Sequence, residues 1–239
     1  MSVINTNTVA EQTSNNLRSS STALSKSLAR LSSGLKIVNP SDDAAGLAVS
    51  SRLDAQIKRL DAALNNVINA VSFTQTQDGF LKTIDSAFRR MSELAMLAQD
   101  TTKSAADRLL YNQEFSQLKD YVKSTSAKDF NAVSLFSAFS FAVTIDADGG
   151  TFNIPGIDLG AATYTNATDD VVGLTSLSAA RSALENVKLA INQIALDRAQ
   201  LGAVQSRLNF TNDQLTTTKE NLSSAISRIA ATSVGCAFR

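Results

Sequence analysis

Val187, Ile194, Leu201, Leu208, Leu215, Leu222 and Ile229 form seven apolar positions in a row at a spacing of seven, and this run constrains the fold more than any other feature of the chain. A seven-residue period places them on one stripe of an α-helix. At about 1.5 to 3 kcal/mol per buried side chain, the stripe is worth roughly 10 to 20 kcal/mol as an upper bound, provided a partner helix covers it. The complementary heptad positions hold Leu184 and Ile191, then Arg198, Gln205, Asn212 and Lys219. The seam is therefore narrow in its middle, where polar positions fix register at some cost in stability.

The natural partner lies in the first half of the chain. Ser41 is placed as an N-cap with Asp42 and Asp43 in the first turn, where the helix dipole favours negative charge. Leu53, Ile57, Leu60, Leu64, Val67 and Val71 then alternate at four and three, and Phe80, Ile84, Phe88, Met91 and Leu94 keep an apolar face to about Asp100. Such a helix, from Ser41 to Asp100, is a rod of roughly 90 Å, whereas a compact globule of this chain length is only about 45 Å across. An elongated molecule is expected. Ahead of it, Leu17, Leu24, Leu31 and Val38, with Leu28 and Leu35, stripe a Ser-rich first helix that looks built for a partner helix. It is expected to end near Asn39, because Pro40 disfavours the helical conformation in the residue before it. Ser104 with Asp107 opens a shorter helix carrying Leu110, Leu118 and Val122.

From about Ser126 the period changes. Phe139, Phe141, Val143 and Ile145 alternate with small or polar residues, Asp148-Gly149-Gly150 follows, and Thr151 to Ile154 resumes an extended run, which reads as a β-hairpin. Asp158 to Gly173, rich in Gly, Thr, Asn and Asp, reads as a surface loop. The fold class expected is mainly α: an elongated helical bundle or coiled coil with a small β-hairpin region in the middle. Its parts read as an N-terminal assembly helix (1–40), one half of a helical rod (41–136), the hairpin and variable loop (137–173), the other half of the rod (174–229) and an atypical tail (230–239).

Composition narrows the function. Twenty-two basic and 22 acidic residues cancel, so no net field draws the chain to nucleic acid or an anionic membrane. Histidine and tryptophan are absent and the single cysteine is Cys236, which removes the commonest general base and any thiolate metal site. Asp42 and Asp43 are adjacent on a helix and do not converge, so they read as caps rather than an acid/base pair. Met1 to Gln12 has neither a basic nor an apolar leader region, and no stretch approaches the 18 apolar residues of a membrane helix. By composition the chain is cytoplasmic unless a dedicated export machine reads another signal. The expectation is a structural protein, not an enzyme.

Leu28-Ala29-Arg30-Leu31-Ser32-Ser33-Gly34-Leu35-Lys36-Ile37 and Pro40-Ser41-Asp42-Asp43-Ala44-Ala45-Gly46-Leu47 resemble the amino-terminal signature of bacterial flagellins. Leu201-Gly202-Ala203-Val204-Gln205-Ser206-Arg207-Leu208, with Glu220-Asn221-Leu222 and Ser227-Arg228-Ile229, is similar to their carboxy-terminal one. The resemblance covers roughly residues 1 to 136 and 174 to 229. It implies a secreted subunit of the flagellar filament, exported by the flagellar type III apparatus, stacked on other flagellin subunits, served by an export chaperone and a cap protein, and using no cofactor. By the same resemblance, Arg90, Leu94 and Glu114 match the positions that make axial contacts between rod domains and that Toll-like receptor 5 recognises, with Arg89 and Ser92 departing from the usual glutamine and arginine. Two other readings share these features: a non-polymerising ligand of that receptor, and a hook–filament junction protein. Where flagellins continue into a further amphipathic helix, this chain runs from Ala230 to Arg239, so altered assembly is expected. Three Asn-x-Ser/Thr matches, at Asn166, Asn209 and Asn221, are at the level of chance in a chain of this composition.

Overall fold

The computed structural model describes residues 7–231. Of the sequence expectations, Cys236 and all of the tail beyond Ala231 lie outside the described residues. The order of elements is α1 (Thr8–Ser33), α2 (Ala44–Ala98), α3 (Ala105–Ser126), β1 (Asp129–Phe130), β2 (Val133–Ser134), β3 (Phe141–Thr144), β4 (Thr151–Ile154), α4 (Ala162–Thr168) and α5 (Leu177–Ala230). The class is mainly α, with two separate antiparallel strand pairs, β1–β2 and β3–β4. The chain divides into two compact units, one of residues 1–61 with 216–239 and one of residues 62–215. No helix among the described residues is long and apolar enough to cross a membrane.

In the first unit, α1 stops at Ser33 because Gly34 takes the left-handed conformation (φ 69°), which costs a glycine nothing and ends a helix. This is earlier than the stop near Asn39 expected from Pro40. The backbone after it bonds to the far end of the chain: Lys36 N–H donates to the Ala230 carbonyl at 2.7 Å, and Leu35 bridges Ala231. The cap of α2 also differs from expectation. Asp43, not Ser41, precedes Ala44, and its Oδ1 accepts from Gly46 N–H at 2.8 Å. A Cβ on Gly46 would stand 2.5 Å from that carboxylate, so glycine makes room for the cap. Asp42 is freed to turn back onto α1, where its side chain is almost fully covered and meets Lys26 at 2.5 Å and Arg30 at 3.5 Å. Lys26 foremost holds its carboxyl below the usual range. Further along, Lys219 of α5 meets Asp61 of α2 at 2.6 Å.

In the second unit, Ile84, Phe88, Met91 and Leu94 of α2 share one core with Val187, Ile194 and Leu201 of α5 and with Phe115 and Val122 of α3. Helix α3 begins at the expected capping box: Asp107 N–H donates to Ser104 Oγ at 3.2 Å and Ser104 N–H to Asp107 Oδ2 at 2.9 Å. Its inward face carries Phe115, Lys119, Val122 and Thr125, with Leu118 packed partly against the core. Leu110, expected inside, is exposed. Helix α5 is capped by Ser176, whose Oγ accepts from Ala179 N–H.

The β-region contains the expected hairpin, with Phe141 opposite Ile154 and Thr144 opposite Thr151. A second one, β1–β2, was not legible in the sequence. Its two-residue turn, Asn131 and Ala132, has positive φ at both positions (51° and 61°), as a tight hairpin requires, yet Ala132 is no turn signal. The loop expected from Asp158 to Gly173 is likewise partly structured: it contains α4, with Tyr164, Ala167 and Thr168 buried.

The buried and half-buried ends of the α5 stripe should respond differently to truncation. Leu201→Ala removes a buried side chain and is expected to lower stability by about 2 to 5 kcal/mol. Leu222→Ala, at a half-buried position, is expected to cost less than half as much. Denaturation midpoints followed by circular dichroism check both.

Candidate interface residues

The three contact positions expected from the sequence do not share one surface. Arg90 on α2 and Glu114 on α3 are both part-exposed and bind each other in a two-pronged pair, Nε to Oε1 at 2.7 Å and Nη2 to Oε2 at 3.1 Å. Glu93 adds a third bond to Nη1 at 3.0 Å. Planar guanidinium against carboxylate in this geometry is the strongest exposed form of an ion pair. Glu114, then Glu93, pushes the Arg90 pKa above its ordinary value, and the Arg90 hydrogen bond holds the Glu114 carboxyl below its ordinary 4.5. Arg89 pairs separately with Asp85 at 2.9 Å.

Leu94 belongs elsewhere. It is fully buried in the core beside Phe88 and Met91, so it cannot touch a neighbour or a receptor while the core is intact. The reason is helical: Leu94 stands three residues after Met91 and six after Phe88, on the inward side, whereas Arg90 and Glu93 fall on the outward one. The accessible face is therefore the Arg90–Glu93–Glu114 cluster without Leu94.

The expected seam residues are covered to different degrees. Val187, Ile194, Leu201, Leu208 and Leu215 on α5 and Leu60 on α2 are buried, while Leu53, Ile57, Leu64 and Leu222 are half-buried. Of the polar positions that interrupt the α5 seam, Arg198 meets Asp78 at 2.8 Å in the second unit, and Lys219 meets Asp61 in the first.

Sequence reasoning missed a polar rail on α3. Asn112 Oδ1 accepts from Leu174 N–H at 2.7 Å. Lys119 donates to the carbonyls of Asp169 and Val172 at 2.9 and 2.6 Å, and Lys123 meets Asp170 at 2.5 Å. The three residues step along one helix side by seven and four and hold the segment after α4. Lys119 is buried, and desolvation pulls its pKa down. A lysine at helical spacing from Phe115 and Val122 was the available signal. Within α4, Tyr164 donates its hydroxyl to Asp197 and stacks on Phe88 at 6.4 Å. Burial foremost raises the phenol pKa, so it stays neutral.

A cleft of about 530 Å³ is lined by Phe73, Phe130, Phe141 and Ile154 with Asn66 and Asn69, and holds no ionisable side chain. Among the described residues, no three His, Cys, Asp or Glu side chains are placed to share a metal ion.

Two family models match the chain: the bacterial flagellin N-terminal helical region over residues 4–140 and the bacterial flagellin C-terminal helical region over residues 184–232. A flagellin of Bacillus subtilis is 32% identical over 261 residues, covering 95% of this chain and 86% of the relative. A flagellar filament core protein of Brachyspira hyodysenteriae is 31% identical over 251 residues, with 96% and 86% covered. Among solved structures, the crystal structure of Bacillus cereus flagellin aligns with a TM-score of 0.57 at 26% identity, over 68% of this chain and 94% of that one. A putative flagellar hook-associated protein from Vibrio parahaemolyticus aligns at 0.71 and 12% identity over 80% and 100%, a likeness of fold alone.

The burial of Leu94 and the exposure of Glu114 separate two variants. Leu94→Asp places a carboxylate in the core and is expected to abolish the cooperative melt of its unit. Glu114→Gln is expected to leave the melting midpoint almost unmoved. A depressed carboxyl pKa contributes stability above the unfolded value and loses it as pH falls through the lower folded one. In an NMR titration the Glu114 carboxyl is accordingly expected to have its midpoint below 4.5, rising when Arg90 becomes Ala.

Proposed function

Since the chain belongs to the bacterial flagellin family, we propose that its work is mechanical rather than catalytic: it is a structural subunit of the bacterial flagellar filament, outside the cell. The observation that carries this reading is the state of α1. Leu17, Leu24, Leu28 and Leu31 stripe a 26-residue helix of which no residue is buried. Apolar residues at heptad spacing along an exposed helix are a surface made to be covered by other helices. Nothing beyond such packing is asked of the molecule, and this fits a chain without histidine and a cleft of about 530 Å³ without ionisable groups.

The finer parts of the reading follow from family membership. Delivery is through the flagellar type III apparatus, with an export chaperone before secretion and a cap protein at the growing tip. The Arg90–Glu93–Glu114 cluster is a subunit contact: its charges already satisfy one another, so a neighbour's charge can be added or exchanged with little change in fold. No enzymatic activity belongs to the chain.

Expression in a motile bacterium deleted for its own flagellin tests the filament reading. Filaments containing this chain and restored swimming are the expected result. Secreted, folded chain that never enters a filament, even one seeded with the host's flagellin, would overturn it. Within that system Leu24→Asp, which puts a charge on the α1 stripe, is expected to cut filament length severely while leaving the secreted subunit as helical as before, as judged by electron microscopy and circular dichroism.

A further inference from the structure

The dipeptide Asp-Gly occurs twice in the chain, at Asp78-Gly79 and Asp148-Gly149, and the fold surrounds the two in opposite ways. Asp-Gly is the sequence most open to one spontaneous reaction, since glycine carries no Cβ to obstruct the approach of its own nitrogen to the preceding carboxyl carbon. Closing that five-membered ring requires a carboxylate held by nothing else, a glycine N–H without a strong bond, and a backbone free to turn about ψ. Asp78-Gly79 has none of the three. Both residues lie inside α2, where the N–H is spent in the helical ladder and ψ is pinned near about −42°. The Asp78 carboxylate is clasped by Arg198, its Oδ1 accepting from Nε at 2.8 Å, so swinging it toward Gly79 breaks a bond between α2 and α5. Asp148-Gly149 has all three. The pair is the tip of the β3–β4 hairpin, in a turn closed by Ile145 N–H donating to the Gly150 carbonyl at 2.9 Å, and exposed loop tips are where backbone opens most readily. Asp148, Gly149 and Gly150 are all exposed. Gly149 N–H reaches the Asp146 carbonyl only at 3.3 Å, longer than a normal bond. The bond that Asp148 makes uses its backbone N–H, to Asp146 Oδ1 at 3.2 Å, and leaves its carboxylate unengaged among the described residues. Gly149 stands at φ 88° with nothing within 4 Å of where a Cβ would be, so no neighbouring atom blocks the ring.

We propose that Asp148-Gly149 is a site of spontaneous succinimide formation that converts Asp148 to isoaspartate, while the fold shields the identical pair at Asp78-Gly79. The Gly149 nitrogen attacks Asp148 Cγ; an N–Cγ bond forms, and the amide proton and the carboxyl's hydroxyl leave as water. A second water opens the ring. Opening at Cγ restores aspartate. Opening at the former main-chain carbonyl breaks that carbon's bond to the Gly149 nitrogen, so the chain then runs through Cγ and the α-carboxylate becomes the side group. No oxidant or cofactor takes part, and the mass of the chain is unchanged overall. The product lengthens the backbone by a carbon inside the turn closed by Ile145 and Gly150, next to the Thr144–Thr151 pair of the hairpin. The reaction is a property of the folded chain and does not depend on the filament reading.

The full-length chain is held folded for some weeks in neutral buffer made with heavy-oxygen water and then digested with trypsin, which places the two pairs in separate fragments, 60–82 and 129–181. Each passage through the ring leaves a heavy oxygen, read by mass spectrometry with fragmentation to locate it. Isoaspartate is read independently by a methyltransferase specific for its carboxylate. Label and isoaspartate are expected at residue 148 at a rate on the order of ten-fold or more above that at residue 78. Asp148→Glu, which would have to close a six-membered ring, is expected to lose the reaction by a similar factor while keeping the wild-type melt, since the position is exposed. In chain unfolded with guanidinium the two sites are expected to convert at similar rates, which assigns the difference to the fold. No isoaspartate at residue 148 of the folded chain, or equal conversion at both sites in it, overturns the proposal. A preference for residue 148 that persists undiminished in unfolded chain overturns the shielding by the fold. Either failure leaves the filament reading standing.

Discussion

Everything in the second unit follows from the need to take one apolar ridge of α5 out of water. Val187, Ile194 and Leu201 have no other place to go than the side of α2 bearing Ile84, Phe88 and Met91, and at about 25 cal/mol per Å² this burial is the largest favourable term available to the unit. Burial alone leaves register open, because one heptad stripe slides along another at little loss. Arg198 against Asp78 removes the freedom: sliding by a turn would leave a half-buried guanidinium without its carboxylate, which is far more costly than a leucine meeting a different leucine. The hydrophobic term sets that the helices pair, and the polar interruption sets where.

The long helices were legible because their signal repeats. Seven residues at one spacing outweigh any single misplaced side chain, so the periods of α2 and α5 could be read from Leu53 and Val187 onward. Ends were less legible, since each is decided by one or two residues. The stop of α1 was assigned to Pro40, and a left-handed Gly34 acted first. The cap of α2 was assigned to Ser41, and Asp43 took it because Asp42 was engaged by Lys26 and Arg30. Both outcomes depend on which of several competent residues is claimed by a partner distant in sequence. Helix α4 and the β1–β2 hairpin lay beyond reach for the same reason: Tyr164 holds its segment through Asp197 and Phe88, not through local propensity.

The candidate interface residues divide along the same line. Arg90 and Glu114 could be named from sequence because they answer to a motif, but their mutual bond spans 24 residues and two helices and had no local sign. Leu94 answers to the same motif, yet its helical phase with Met91 and Phe88 places it inside. Where motif and phase disagree, phase prevails, since a large apolar side chain three residues from a core methionine gains more by burial than by waiting for a partner.

The Arg198–Asp78 bond joins residues 120 positions apart, and with it the whole α2–α5 core is a contact between distant parts of the chain. Contacts of that separation come late in folding, because the intervening loop must be ordered before they reward it. A chain that leaves the ribosome amino end first therefore passes most of its synthesis without the α5 side of its core. Its first 180 or so residues can bring Phe115 and Val122 of α3 and Tyr164 of α4 onto the α2 ridge, but the side of that core that α5 covers stays open. Completion is a late and abrupt event, timed by the arrival of α5. The α2–α5 pairing thus closes only once the segment from Leu177 onward is free to fold.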